Sequence, residues 1–436
     1  MKFFLSTLAL SLLAVEAPAA AKLSPAEQNM VRTVEREQPR TLALLEKLVN
    51  QNSGSRNLPG VEAVGRMMRA ELEALGFQVR WVPMTEAGRA GHLIATHKGN
   101  GRGKRMLLIG HLDTVFEPDS PFQLFTLKDA GTAEGPGVGD DKGGIVVMVA
   151  ALRAMQAAGT LKAADIEIVL TGDEEDAGEP IAIARRDLVA AGSRNDVALD
   201  FEGLAQEAGR DMGSIARRGA AAWQVAARGR TGHSSGIFGK ASGNGAIYEL
   251  ARILDAFRTE LPEPNLTFNT GLIVGGATAA LDEARIRGSA TGKTNIIPAV
   301  AIARGDLRAL SLEQQDRVKA KMQAIVARHL PGSEAEIAFD DHAYPPMAPT
   351  PASRALLARL NAINADLGLA AMGELDPLKR GAGDIGFVAH LLPGLVGLGP
   401  GGEGSHAPGE TIEVPTLWRQ AKRAAILMTR LSRERR

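Results

Sequence analysis

The sequence predicts an α/β protein, a mixed sheet flanked by helices, with a second, ferredoxin-like β-α-β-β-α-β unit inserted into it. Three observations carry this reading. Short apolar runs alternate with segments of helical period, the pattern of an α/β sheet. The middle of the chain switches to the order strand, helix, strand, strand, helix, strand. Alternating α/β material then resumes, so the second unit interrupts the first. A chain of 436 residues also exceeds what one ordinary core accommodates. The boundaries follow: residues 22–214 and 343–436 form one α/β domain, and 215–342 form the insertion.

Ser24-Pro25-Ala26-Glu27 opens a helix that runs towards Val49, with a Ser cap and Pro in the first turn. Val61, Val64, Met68, Leu72 and Leu75 recur at helical spacing, and Gly76 ends that helix. Short strands follow at 77–82 and 93–96. The run 105–110 (RMLLIG) is a buried strand that delivers His111, Leu112 and Asp113. Residues 143–159 form a helix. The strand 166–170 delivers Thr171 to Glu175, a helix covers 181–191, and the strand 197–201 delivers Glu202. The inserted unit has strands at 220–227, 267–274, 299–307 and 335–339, with helices at 246–257 and from Ser311 to about His329. Ser311 and Gln314 have capping-box spacing. The first domain resumes with helices at 351–367 and 383–392, a strand at 395–398, the loop from Gly399 to His406 and a last helix at 415–431.

Composition narrows the function. Lys+Arg and Asp+Glu are both 50, so no basic excess exists to neutralise phosphates, which excludes nucleic acid as the main partner. Apolar residues at 45% and charged residues at 23% are ordinary for a globular enzyme. With no Cys, thiol nucleophiles and thiolate ligands are impossible, and any metal must be held by His and carboxylates. Lys2, the apolar run from Phe3 to Val15 and the small-residue triplets Ala17-Pro18-Ala19 and Ala19-Ala20-Ala21 predict a signal peptide over residues 1–21. The mature chain is then expected to be periplasmic or secreted, with no membrane attachment after cleavage.

Polar residues gather where the apolar strands end. His111 and Asp113 lie two apart, so an extended segment points both the same way, and a carboxylate there can take the imidazole's second N–H. Gly137 to Gly144 puts Asp140 and Asp141 in a glycine-rich turn before a helix. Glu174 and Glu175 are adjacent carboxylates after a strand, Glu202 ends the next strand, and His406 sits in a glycine-rich loop. Singly, each piece is the common solvated turn or helix start. Five of them in order, at the ends of sheet strands, are hard to explain as unrelated turns.

The segments GHLDTV (110–115), GPGVGDDKGG (135–144), TGDEE (171–175), DFEG (200–203), GRTGHSSG (229–236), NIIP (295–298) and GSHA (404–407) resemble the M20 family of zinc peptidases and deacylases. LVNQNSGS (48–55) and LGFQV (75–79) look most like its glutamate carboxypeptidase branch. The resemblance covers nearly all of the mature chain. It implies two zinc ions, with cobalt or manganese as possible substitutes. His111 and Glu202 would hold one ion, Glu175 and His406 the other, and Asp140 would bridge them. Asp141 competes with Asp140, and Asp200 with Glu202. Asp113 would orient His111, and Glu174 would be the general base. The resemblance further implies a cis peptide between Asp140 and Asp141, a homodimer, and His233 reaching across it to polarise the substrate carbonyl, with Asn295 on the substrate side.

The implied activity is hydrolysis of an amide next to a free carboxylate, in a peptide or an N-acyl amino acid. The alternatives are a deacylase or dipeptidase of the same family, and a metal-independent binding protein on the same fold. One departure matters. Glutamate-releasing members tend to carry an Arg in the segment that re-enters the first domain. Here that stretch reads Asp341 to Met347 and has Tyr344 at the matching place, which leaves Arg308 as the available partner for a substrate carboxylate. His92, His97, His329, His342 and His390 fit no ligand pattern. The run from Gly288 to Thr294 is one residue short of a phosphate-binding loop.

Overall fold

The computed structural model describes residues 23–340 and 343–436. The expected leader at 1–21 lies outside the described residues, as does His342. A six-stranded mixed sheet forms the centre, in the order Gln78–Met84, Arg89–His97, Asp165–Thr171, Arg105–His111, Val197–Asp200, Gly394–Leu395. The last four run parallel, and the first two join as antiparallel neighbours. The apolar run Met106 to Ile109 is buried because helices cover both faces of the sheet. Helix Lys142–Ala157, with 14 buried residues, fills one face beneath Pro25–Arg36, Gln38–Val49 and Val414–Leu431. Leu188, Ile385, Val388 and Val396 pack on the other face.

Residues 221–339 build a second sheet, ordered Thr267–Gly276, Val300–Arg308, Ala221–Gly229, Ser333–Phe339, antiparallel throughout. This is the strand order of a ferredoxin-like unit. Strand Ala221–Gly229 alternates buried and half-buried positions, so one face meets a core and the other does not. Helix Gly245–Glu260 lays Ala246, Leu250, Ile253 and Phe257 on that face, at the 4-3-4 spacing of one helical stripe. Helix Leu312–Val326 adds Val318 and Met322.

Several elements differ from the sequence reading. The first helix breaks at Glu37, because Pro39 has no N–H to donate and its ring excludes a continuous helix. Ser24 does form the capping box, with its own N–H donated to Glu27 Oε2 at 2.7 Å. At Ser311 the first half of the box forms, but the side-chain Oε1 of Gln314 accepts the N–H of Leu310 instead of that of Ser311. The helix at 181–191 is split at Arg185. The helix at 383–392 shrinks to a 3-10 turn, Asp384–Phe387, because Gly383 is extended and Gly386 is pressed against the Pro345 carbonyl. The strand at 395–398 is two residues long and ends before Gly397, whose φ is +87°. An exposed hairpin, Thr278–Leu281 with Gly288–Thr291, was not anticipated.

The second core hangs on Trp223. Its side chain is 0% exposed, it meets Phe257 edge-on at 5.5 Å, and its indole N–H donates to the Asp306 carbonyl at 3.0 Å. Trp223→Ala is expected to destabilise the protein by about 3–5 kcal/mol. Urea denaturation checks this, and a midpoint unchanged from the parent would contradict it.

Candidate metal centre

The parallel strands deliver their polar residues on one side, at their carboxyl ends, where open α/β sheets collect ligands. Strand Arg105–His111 ends on His111. Strand Asp165–Thr171 runs out into Asp173, Glu174 and Glu175, and strand Val197–Asp200 into Glu202. Gly137 to Asp140 and the loop around His406 close over them.

His111 is buried. Its Nδ1 lies 3.1 Å from the Asp113 carbonyl and 3.4 Å from Asp113 Oδ1, and its Nε2 lies 2.9 Å from Asp140 Oδ1. A proton on Nδ1 is thus held from behind, and Nε2 faces the acids in front, the orientation of a metal-ligating imidazole. The other oxygen of Asp140 is 3.1 Å from His406 Nε2. That nitrogen is also 3.1 Å from Glu175 Oε2. His111, Asp140, His406 and Glu175 therefore form an unbroken chain of contacts. One donor atom each from His111, Asp140 and Glu175 lies within 4.8 Å of the others.

Local structure explains the aim of each group. The Glu410 carboxylate accepts the N–H groups of Gly137, Gly139 and Asp140 at 2.9, 2.8 and 2.9 Å, which curls the loop around it. The Asp140–Asp141 peptide is cis. Asp141 turns inward, is fully buried and accepts His111 N–H at 3.2 Å, so Asp140 alone of the pair faces both imidazoles. Asp113 does more than face His111. Its carboxylate accepts Ser55 Oγ at 2.6 Å and the N–H groups of Glu174 and Glu175 at 3.0 and 3.1 Å. It thereby fixes the turn that sends Glu175 towards His406.

Glu174 is supported from below. Tyr344 donates its hydroxyl proton to the Glu174 carbonyl at 2.7 Å and accepts from Arg185 Nη2 at 2.8 Å. Arg185 is buried and also binds Asp173 and Asp384, at 2.6 and 2.7 Å. Tyr344 is therefore engaged in the interior. Glu202 shares a cavity of about 100 Å³ with Asp140, but its carboxylate pairs with Arg217 and lies outside the tight donor set. Asp200 turns to accept Glu202 N–H at 3.2 Å and lies 3.7 Å from Arg217.

Charge crowding shows in the proton affinities. Burial, then the Glu202 charge, pushes the Glu174 carboxyl well above its usual range. Burial works against protonation of His111, yet the carboxylates of Asp113 and Asp140 carry it well above the ordinary value. Hydrogen bonds to Asp140 and Glu175 raise His406 to about 11. Asp140 is held low by the two imidazoles despite its burial. A site with this surplus of carboxylates favours cations. Two imidazoles and several carboxylates without a thiol suit zinc or another divalent ion of similar preference.

The three expected residues of the second sheet do not touch this cluster. His233 is exposed, and its Nδ1 faces Ser235 Oγ at 2.8 Å; Asn295, also exposed, accepts Ser234 N–H at 2.9 Å through its backbone carbonyl. Arg308 pairs with Asp306 at 3.0 Å, and its guanidinium borders Gly381, on the loop beside the site. The sequence reading missed Glu410, Arg217 and Arg185. Pro408-Gly409-Glu410 reads as an ordinary turn, and only the backbone it meets, some 270 residues earlier, reveals its role. Arg217 stands in a plain Ala-Arg-Arg-Gly run.

Fold and site together define a metal-dependent hydrolase built on a mixed α/β sheet. The model of the peptidase family M20/M25/M40 matches residues 107–430, and the chain belongs to that family, whose members are hydrolases of amide bonds. It is 28% identical to carboxypeptidase G2 of Pseudomonas sp. (strain RS-16) over 307 residues, 69% of this chain and 68% of that one. It is 26% identical to a succinyl-diaminopimelate desuccinylase of Leptothrix cholodnii over 385 residues, 86% of this chain and 95% of that one. Among solved structures, it superposes on a dinuclear metal-binding M20 peptidase of Bacillus subtilis with a TM-score of 0.63 at 16% identity, covering 91% and 98% of the two chains.

Glu410→Ala removes the acceptor of three N–H groups around Asp140. It is expected to cost roughly 2–4 kcal/mol of stability and to weaken metal retention. Thermal melts and metal content after dialysis check this. If both match the parent, Glu410 does not hold the loop.

Proposed function

We propose that the protein is a two-zinc amidohydrolase of the carboxypeptidase type, which cuts an amide next to a free carboxylate and releases the C-terminal amino acid. The observation that carries this is the Asp140 carboxylate shared between His111 and His406, with Glu175 on the far side of His406. In this reading His111 and Glu202 would hold one ion, Glu175 and His406 would hold the other, and Asp140 would serve both. Cobalt or manganese can replace zinc at such ligands. Two divalent ions bound there polarise a carbonyl and ease deprotonation of water at neutral pH.

The chain's own groups do the rest. Glu202 would have to give up its contact with Arg217 to serve as a ligand. Asp113 keeps Nδ1 of His111 protonated, so that Nε2 is the ligating atom. Glu174 is held by Asp113 at its N–H and by Tyr344 at its carbonyl, and its carboxylate makes no hydrogen bond among the described residues. It takes a proton from the attacking water and passes it to the leaving amine. The second sheet acts as a lid and dimerisation domain, 215–342. Its His233, delivered by closure and from the partner subunit, polarises the scissile carbonyl, while Asn295 and Arg308 contact the substrate. Removal of residues 1–21 places the enzyme in the periplasm or outside the cell.

A second reading, deacylation of an N-acyl amino acid or cleavage of a dipeptide, is favoured by the match along 95% of the desuccinylase and by Tyr344 pointing inward. A panel of folyl-, benzoyl- and acetyl-amino acids and dipeptides, assayed before and after chelation, separates the readings. Activity should vanish with chelator and return with zinc. Full activity of the metal-free protein would contradict both readings.

Glu174→Gln is expected to lower turnover by at least about 10²–10⁴-fold with metal content retained, whereas Glu175→Ala should lose both. Near-normal turnover by Glu174→Gln would remove the base assignment. His233→Ala should cost about 10²–10³-fold in turnover with metal content unchanged. Co-refolding inactive Glu174→Ala and His233→Ala chains should restore part of the activity. No recovery in proven heterodimers would mean that His233 does not serve a partner's site.

A further inference from the structure

Glu174 is aimed by its backbone, because no hydrogen bond to its carboxylate fixes the side chain among the described residues. Two contacts hold the turn that carries it. Asp113 accepts the N–H of Glu174 at 3.0 Å, and the Tyr344 hydroxyl donates to its carbonyl at 2.7 Å. The two holds come from different parts of the molecule. Asp113 follows strand Arg105–His111 of the central sheet, so it is fixed together with His111. Tyr344 lies on the segment by which the chain returns from the second sheet.

That segment is laced to the outgoing one. Ala220 and Tyr344 exchange backbone hydrogen bonds at 3.0 and 2.8 Å, and Arg217 and Met347 exchange two at 2.9 Å. Ala220 leads directly into strand Ala221–Gly229. Asp340, at the end of the neighbouring strand Ser333–Phe339, donates to the Ala222 carbonyl at 3.0 Å. The pairing of the second sheet thus continues through Tyr344 into the first domain. Gly219 shows how close the two segments lie: a β-carbon there would stand 2.7 Å from the Tyr344 carbonyl oxygen and 2.9 Å from the Pro346 nitrogen.

The hydroxyl has one orientation. A guanidinium only donates, so the Tyr344 oxygen accepts from Arg185 Nη2 at 2.8 Å, and its own proton is left for the Glu174 carbonyl. Asp173 and Asp384 lock Arg185 in turn, and the Tyr344 ring packs edge-on against Phe387 at 5.1 Å. Burial pushes the phenol's pKa upward, which keeps that proton in place.

We propose that Tyr344 is a positioning residue of the amidohydrolase, whose hydroxyl transmits the placement of the second sheet to the backbone of Glu174 and so sets the aim of the base. This rests on the proposed reaction and adds a control to it. Asp113 holds one side of the turn wherever the second sheet stands, whereas the other side follows the connecting segment. Closure of the second sheet over a substrate then also aims the base.

Tyr344→Phe removes one oxygen and keeps the ring. On the panel of benzoyl- and acetyl-amino acids and dipeptides it should lower kcat roughly 10- to 100-fold, with KM within about two-fold of the parent and zinc stoichiometry intact. Amide hydrogen exchange over residues 172–176, measured on the zinc-loaded protein without substrate, should rise about ten-fold. Gly219→Ala presses on the Tyr344 carbonyl from the outgoing segment and should give a kcat loss and an exchange change of the same kind. In the double variant the two losses should not multiply, because both act through one hydroxyl. An unchanged kcat in Tyr344→Phe would overturn the proposal, as would a change confined to KM or a loss of zinc. Multiplying losses in the double variant would also overturn it, since Gly219→Ala would then act by another route. If the parent cuts nothing in the panel, the proposed reaction fails and hydrogen exchange decides alone. Faster exchange at 172–176 in both variants would uphold the link from the connecting segment to Glu174, and unchanged exchange would remove it.

Discussion

Everything around the site depends on one carboxylate. Asp140 offers one oxygen to His111 and the other to His406, 266 residues further along the chain. That contact ties the end of a central strand to a loop just before the last helix. It can form only if the Gly137–Asp140 turn is curled, which Glu410 ensures, and only if Asp141 is turned away beneath His111. A carboxylate placed between two imidazoles gathers oxygen and nitrogen donors at one point, which suits a divalent cation.

The cost of collecting so many acids is met by buried arginines. Arg185 binds Asp173 and Asp384 and supports Tyr344 beneath Glu174; Arg217 spans Asp200, Glu202 and the carbonyls of Gly381 and Ala382. Removing one member of such a network leaves its partners charged and unpaired, so its parts stand or fall together. Arg217 also sits where the chain leaves for the second sheet, bridged to Met347 where it returns. The two connecting segments and the end of strand Val197–Asp200 are thus held in one place. A movement of the second sheet would be felt there.

Much of this was legible in the sequence. Apolar runs ending in His111, Glu174 and Glu202 mark strands that deliver side chains to one rim, and the change of element order marks the second sheet. The resemblance then distinguishes neighbours that composition cannot, such as Asp140 from Asp141. What stayed hidden has physical causes. Two- and three-residue strands such as Gly402–Glu403 are too short to show a period. The exposed hairpin at 278–291 has no buried face to alternate with. Glu410 and Arg185 act on backbone or side chains far away in sequence, so nothing near them records the role. Asp113 was read as the partner of His111 alone, and only the structure shows that it also sets the Glu174–Glu175 turn.

Anomalous diffraction from crystals grown with zinc tests the central claim most directly. The account predicts two peaks flanking the Asp140 carboxylate, one against His111 Nε2 and one against His406 Nε2, with Glu202 swung from Arg217 towards the first. A map with no peak between those imidazoles, or with zinc only at surface histidines, would contradict it.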